Sequence, residues 1–358
     1  NPDKNRQCIP TDDIVITVNK DSVRASGMIM AGDSIPDEMH ISLKGRRYIG
    51  KSEMMMYAML AGSHWTRPLY VAVTVGESNY RSFANNTVQE GLAMRITPFN
   101  TRESGKRIDA DRMYDNLMNR FRFGGIDNPD LYLDETVLRM VYTHRSLFGI
   151  CANELIARGD TVRALNILKK AEEAIPSTSV PHNVMGGSLN LASCWMHLGK
   201  NQEAANIAMQ VAQNQKEYAE WYRQLPAKHF KGSLIDMYRT FDPLITAFTI
   251  LYRCNADTQA TQLADSVQLY MLYTLQQLTS YISSDLSLSY VKLKTKDSEL
   301  QQMFKLFQGI LDDYRWYLSE QAYDQYSRQF EDSYYSYIRL LHSDLLPQQQ
   351  DYDDEPLF

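Results

Sequence analysis

The sequence predicts an α+β chain, a small N-terminal α/β domain followed by an all-α helical-hairpin array. Three observations predict it. Short β-branched or apolar runs bounded by turn residues are confined to the first hundred residues. From Asp109 onward the apolar period changes to about 3.6 residues, which is helical. Between Phe148 and Val267 a pattern of small, apolar and turn residues recurs three times.

The elements follow in order. Ile14 to Val18 is β-branched and short, as a strand should be, and His40 to Leu43 alternates before the turn Lys44-Gly45-Arg46-Arg47. Ser52 is the expected N-cap of a helix through Met54, Met55, Tyr57, Ala58 and Ala61, closed by Gly62. Leu69 to Val75, introduced by Pro68, is nearly continuous in apolar residues and is expected as a strand covered on both faces. Leu92 to Thr97 is a further strand, stopped by Pro98. Asp109 or Asp111 caps a helix carrying Met113, Leu117, Met118 and Phe121, which Gly124-Gly125 is expected to end. A long amphipathic helix then runs from about Asp134 to Ala157.

The repeat organises the rest. Phe148, Ala152, Leu155, Gly159, Ala164, Leu168, Ala171 and Pro176 have the spacings 4, 3, 4, 5, 4, 3 and 5 of a tetratricopeptide repeat. Small residues at Ala152, Ala164 and Ala171 let two antiparallel helices approach closely, Gly159 makes the turn and Pro176 closes the second helix. A second copy, 40 residues on, carries Ala192, Trp195, Gly199, Ala204, Ala208 and Val211. A third has Leu244, Phe248, Leu251, Asn255, Ala260, Ala264 and Val267, with Asp242-Pro243 read as N-cap and first helical residue. The domains expected are therefore a mixed α/β cap over 1–108, a tetratricopeptide-like array over 109–346 and an acidic tail over 347–358.

Composition narrows the function. The chain has 358 residues, 37 Lys plus Arg against 43 Asp plus Glu, and a formal charge of -6. That balance lacks the basic patch a nucleic-acid surface needs, so no nucleic-acid partner is expected. No apolar run approaches the roughly 20 residues that span a bilayer. The chain begins at Asn1 without a signal-like leader, read as a start within a longer polypeptide or after a cleavage. Cys151 and Cys194 fall among apolar helix positions and are expected as buried thiols, with no Cys-x-x-Cys pair in the chain. Seven scattered histidines, without a Walker loop, nucleophile elbow or dinucleotide fingerprint, suggest no metal, cofactor or catalytic residue.

The densest polar stretch supplies the candidate binding residues Arg122, Asp134, Arg139, His144 and Arg145. They are read as a binding surface or, preferably, as a structural network of arginines and carboxylates. Aromatics from Trp316 to Tyr337 are frequent, and the helical spacing of Tyr323, Tyr326, Phe330 and Tyr334 favours packing over a sugar-binding stripe.

Several segments occur in a familiar order: Ile41 to Tyr48, Trp65 to Gly76, Gln89-Glu90-Gly91-Leu92-Ala93-Met94-Arg95, Asp111 to Met118, and Phe123 through Glu135. This order resembles the C-terminal extramembrane region of a bacterial family of multi-spanning membrane proteins of unknown function. That family is related to protein O-mannosyltransferases with a C-terminal tetratricopeptide-like domain. The resemblance covers roughly residues 9 to 215. It implies an N-terminal membrane domain in the same polypeptide, of the polyprenyl-sugar-using type, with its catalytic carboxylate in a loop that no residue here matches. It also implies that this chain is a periplasm-facing, non-catalytic ectodomain that positions an acceptor protein or peptide. The competing expectation is a free-standing periplasmic or surface scaffold that binds protein or glycan.

Overall fold

In the computed structural model, residues 11–30, 32–46, 48–105 and 107–342 are described. Cys8, Arg47 and the acidic tail expected over 347–358 lie outside them. The fold is α+β, with strands near the N-terminus and helices thereafter. The chain divides into two compact units, Asn1–Pro181 with Met185–Leu198, and His182–Val184 with Gly199–Phe358.

The first unit opens with β1 (Asp13–Thr17), α1 (Lys20–Ala25) and β2 (Glu38–Ser42), β1 and β2 pairing antiparallel with Ile14 opposite Ile41. Period-2 alternation turns Met39 and Ile41 inward, onto a core with Val23, Met28, Tyr57, Leu60, Trp65 and Phe83. Next comes α2 (Lys51–Gly62). Its N-cap is Gly50 rather than Ser52, because Glu53 reaches back to the Gly50 amide. The helix ends at Gly62 as expected, but Gly62 is not a left-handed residue. The left-handed residues are His64 and Trp65, with φ of 46° and 60°. The Trp65 indole N–H donates to the Thr17 carbonyl at 2.9 Å, and the buried ring fixes the turn. Met54, Met55 and Met59 point outward, while Glu53, Tyr57 and Leu60 face in.

The second sheet has β3 (Tyr70–Ala72), β4 (Thr87–Gln89) and β5 (Ala93–Ile96) in the antiparallel order β3-β5-β4. The apolar run from Leu69 to Val75 thus yields a three-residue strand, and it is not covered on both faces. Val71 is buried but Tyr70 and Ala72 are exposed, since β3 is an edge with one packed side. Asp109 caps α3 (Ala110–Asp115), its carboxylate accepting from the Arg112 amide. The helix continues directly into a π-helical turn, Asn116–Arg120, closed by the Phe121 amide donating to the Asn116 carbonyl at 2.8 Å. The helix thus stops before Gly124-Gly125. Those glycines occupy left-handed positions in the following turn, with φ of 61° and 79°.

Three longer helices complete this unit: α4 (Glu135–Ala157), α5 (Thr161–Ala174) and α6 (Ser188–His197), with α4 packing against both others. Asp134 caps α4 and Asp160 caps α5. Between them Gly159 takes φ 78°, and the Asp160 amide donates to the Leu155 carbonyl at 2.9 Å, closing a Schellman turn. Phe148, Ala152, Leu155, Ala164, Leu168 and Ala171 are all buried. Cys151 and Cys194 are buried free thiols, and burial pushes both up to about 12. Because Ala164 has no accessible surface, Ala164→Leu forces extra methylenes between packed helices. A loss of about 1–3 kcal/mol in urea unfolding is expected, and an unchanged midpoint would remove Ala164 from the close approach.

The second unit holds α7 (Asn201–Arg223), two short helices α8 (Ala227–Gly232) and α9 (Leu234–Arg239), then α10 (Phe241–Arg253) and α11 (Asp257–Leu286). After these come α12 (Tyr290–Thr295), α13 (Asp297–Asp313) and α14 (Glu320–Leu341). Ala204, Ala208 and Val211 of α7 are buried, as are Leu244 and Leu251 of α10 and Ala260 and Val267 of α11. Helix α10 starts two residues earlier than Asp242-Pro243 suggests. Thr240 is its N-cap, and Pro243 falls at the third helical position, where the missing amide hydrogen is still harmless. Gly199 and Asn255 hold left-handed turns with φ of 71° and 59°. At Asn255 the Ala256 amide donates to the Leu251 carbonyl at 3.0 Å, the same closure as at Gly159. Of the late aromatics, Tyr326, Phe330 and Tyr334 pack against α13, where Phe330 stacks on Tyr334 at 5.7 Å and meets Phe304 and Phe307 edge-on, whereas Trp316 is exposed.

Candidate functional site

The hairpin between β4 and β5 and the helix after Asp109 build a cavity of about 600 Å³. Its walls are Tyr70, Glu90, Leu92 and Ala93 on the sheet side, and Arg112, Asp115, Asn116, Arg120 and Phe121 on the helix side. Glu90, Gly91 and Leu92 form the connection, tightened by the Glu90 amide donating to the Ala93 carbonyl at 3.0 Å. Gly91 takes φ 136°, and a Cβ there would stand 3.1 Å from Cζ of Phe121. Gly91→Ala is therefore expected to cost about 1–3 kcal/mol through backbone strain plus displacement of that ring. Chemical denaturation reads it, and a neutral result would mean that the loop relaxes freely.

Behind the cavity lies a buried ion network. Arg95 on β5 is fully buried, as are most of Glu90 and Asp109. The Arg95 guanidinium contacts the Glu90 carboxylate and stands 3.4 Å from Asp109. Arg112 donates to Glu90 at 3.1 Å, lies 3.5 Å from Asp109, and also donates to the Gly27 carbonyl. Tyr70 donates its hydroxyl to Glu90 at 3.2 Å, and the Asn116 amide donates to the Glu90 backbone carbonyl at 2.8 Å. Burial, with Arg112 nearby, pulls Arg95 below the usual guanidinium range, yet two carboxylates keep the charge compensated. At the rim Arg120 pairs with Asp115 at 2.6 Å. Asn119, donating at 2.8 Å, and Arg120 hold the Asp115 carboxyl below its ordinary range, so it stays ionised near neutrality.

The residues singled out from the polar stretch take separate places. Asp134 is the cap of α4. Arg139 is exposed and pairs with Glu135 one turn away. His144 bonds the Met140 carbonyl at 2.7 Å and sets its ring edge-on to Phe121 and Phe123, at 6.0 and 6.2 Å. It thereby backs one wall of the cavity. Arg145 is buried and donates to the carbonyls of Ile175, Val180 and Pro181, pinning the chain that follows α5. Arg122 is exposed beside Phe121. Residue-by-residue chemistry did not single out Glu90, Arg95, Arg112, Asp115 or Asn116. They do sit in two of the segments that carry the resemblance, Gln89 to Arg95 and Asp111 to Met118.

Among the described residues no group of three or more His, Cys, Asp or Glu is placed to hold a metal ion. No described helix is long and apolar enough to cross a membrane. Comparison with curated proteins and with solved structures returns no match. Residues 1–113, which supply the sheet side of the cavity and Arg112, match the family model described as TMEM260-associated domain 2, and this links the segment to a TMEM260-like family.

Proposed function

We propose that this chain is a non-catalytic ectodomain of a longer membrane protein, which holds an acceptor protein or peptide for a membrane-embedded, polyprenyl-sugar-dependent glycosyltransferase domain in the same polypeptide. It would work on the periplasmic face of the inner membrane. The observation that carries the reading is the recurrence of one helix-end geometry. Gly159 and Asn255 take the same left-handed turn with the same six-to-one closure, and Gly199 has the matching backbone angle. This is the local geometry a tetratricopeptide-like array requires, and stacked hairpins of that type present extended surfaces suited to polypeptide. The family-model match to a membrane-protein-associated domain supports the same assignment.

The test incubates the purified chain with a polyprenyl-linked sugar and a panel of extended acceptor peptides. Saturable peptide binding that weakens with added salt, without transfer of sugar, is the expected result. Turnover by the chain alone would overturn the accessory role, and failure to bind any peptide would overturn the holding role.

A further inference from the structure

We propose that the cavity between the β4–β5 hairpin and the π-helical turn binds a neutral sugar, one or two pyranose rings in size. The inference goes beyond the polypeptide-holding role and concerns a different part of the chain. Its starting point is charge balance. The wall and its backing carry Arg95, Arg112 and Arg120 against Glu90, Asp109 and Asp115, and each of these charges has an opposite partner within 3.5 Å. An anion would find no uncompensated cation there, and an apolar ligand would strand the carboxylates without solvent.

Hydroxyls suit these walls. A carboxylate offers about four lone-pair sites and a guanidinium five N–H donors, so pairs such as Asp115 with Arg120 keep spare capacity of both kinds. A vicinal diol, donor and acceptor at each oxygen, can use both at once. Asn116 and the Tyr70 hydroxyl extend the same polar strip. The apolar requirement is met as well: the half-exposed ring of Tyr70 and the ring of Phe121 flank the space, suited to the flat C–H face of a pyranose. The volume of about 600 Å³ falls in the range of small-ligand sites, ample for two rings.

The backbone points the same way. A π-helical turn is uncommon and is found often at functional sites. Here it supplies Asn116 and Arg120 and delivers Phe121 to the wall. Gly91, at a backbone angle unsuited to other residues, leaves room for that ring.

The experiment titrates the whole chain with glucose, galactose, mannose, maltose and cellobiose, using ligand-observed saturation-transfer NMR and calorimetry. Saturable binding with Kd on the order of 0.1–10 mM is expected for at least one of them. It should change less than about twofold between low and high salt, since no net charge is recognised. Tyr70→Ala, Asp115→Asn and Arg120→Gln should each weaken it at least about fivefold, the worth of a lost hydrogen bond or ring contact. Trp316→Ala, outside the cavity, should leave it unchanged. Asp115 and Arg120 are partly exposed, so their variants keep the fold even if Tyr70→Ala does not. The proposal is overturned if no neutral sugar binds saturably, or if binding survives the substitutions. Preference for inorganic phosphate or a zwitterionic amino acid, declining with salt, would also overturn it. None of these outcomes touches the peptide-holding role, which its own assay decides.

Discussion

Arg145→Met is expected to lower stability by about 3–5 kcal/mol, one of the two largest single-residue effects in the chain. The arginine lies on the inner face of α4 with almost no accessible surface. Its guanidinium donates to three carbonyls, Ile175 and Pro181 at 3.0 Å each and Val180. Burial lowers its pKa to about 10, still well above neutrality, so the group remains charged in the folded protein. Methionine fills most of the volume and removes every donor. Three carbonyls, one at the end of α5 and two in the chain that follows it, are then left dry, and each unsatisfied group costs about 1–3 kcal/mol less whatever relaxation admits water. Arg145→Lys should recover little, because one ammonium cannot span acceptors that a planar fork reaches together. Urea unfolding measures it. A loss under about 1 kcal/mol would show that the carbonyls find other partners.

Arg95→Met should cost a comparable amount, about 3–5 kcal/mol, for a different reason. Here the loss is of charge compensation. Glu90 and Asp109 would stay buried and share Arg112, which already serves both and is itself partly exposed. Desolvated carboxylates short of a counter-charge resist ionisation, so in the variant their folded pKa values rise above the unfolded ones. Raised acid pKa values mean a penalty that is present at neutral pH and disappears as pH falls through the carboxylate range. The gap from wild type should accordingly narrow toward pH of about 4. Denaturation at two pH values checks both size and sign, and a gap that widens in acid would exclude the charge explanation.

Local signals explain what the sequence made legible. Asp109, one of the two caps offered for its helix, and Gly159, read as the turn between two helices, are read correctly because caps and left-handed turns depend on a few neighbouring residues. The strand from Leu69 is misjudged in length and cover because edge position depends on which strands pair with it, and this is not local. Arg145 lies within a polar cluster by sequence, yet it shares a helical face with Val141, Phe148 and Ala152 at intervals of four, three and four. That period was the available sign of its burial. The cavity escaped because Glu90, Arg95, Asp109 and Arg112 meet only through the hairpin and the capped helix. Charges spread over twenty-odd positions give no periodic signal, and the two resemblance segments marked the region without naming its chemistry.

The π-helical turn has a consequence for how such chains diverge. A turn of this kind holds one residue more than an α-helix needs, which is how a single inserted codon is absorbed without breaking a helix. Deleting one residue between Asn116 and Arg120 would restore ordinary winding and keep the helix. Every later residue would then rotate by about 100°. Phe121 would leave the wall it shares with Gly91, and the rim pair of Asp115 and Arg120 would part. Homologues lacking that codon should thus retain the buried network around Arg95 while being free to lose the glycine at position 91. The two traits are expected to travel together through the lineage, as a paired gain or a paired loss.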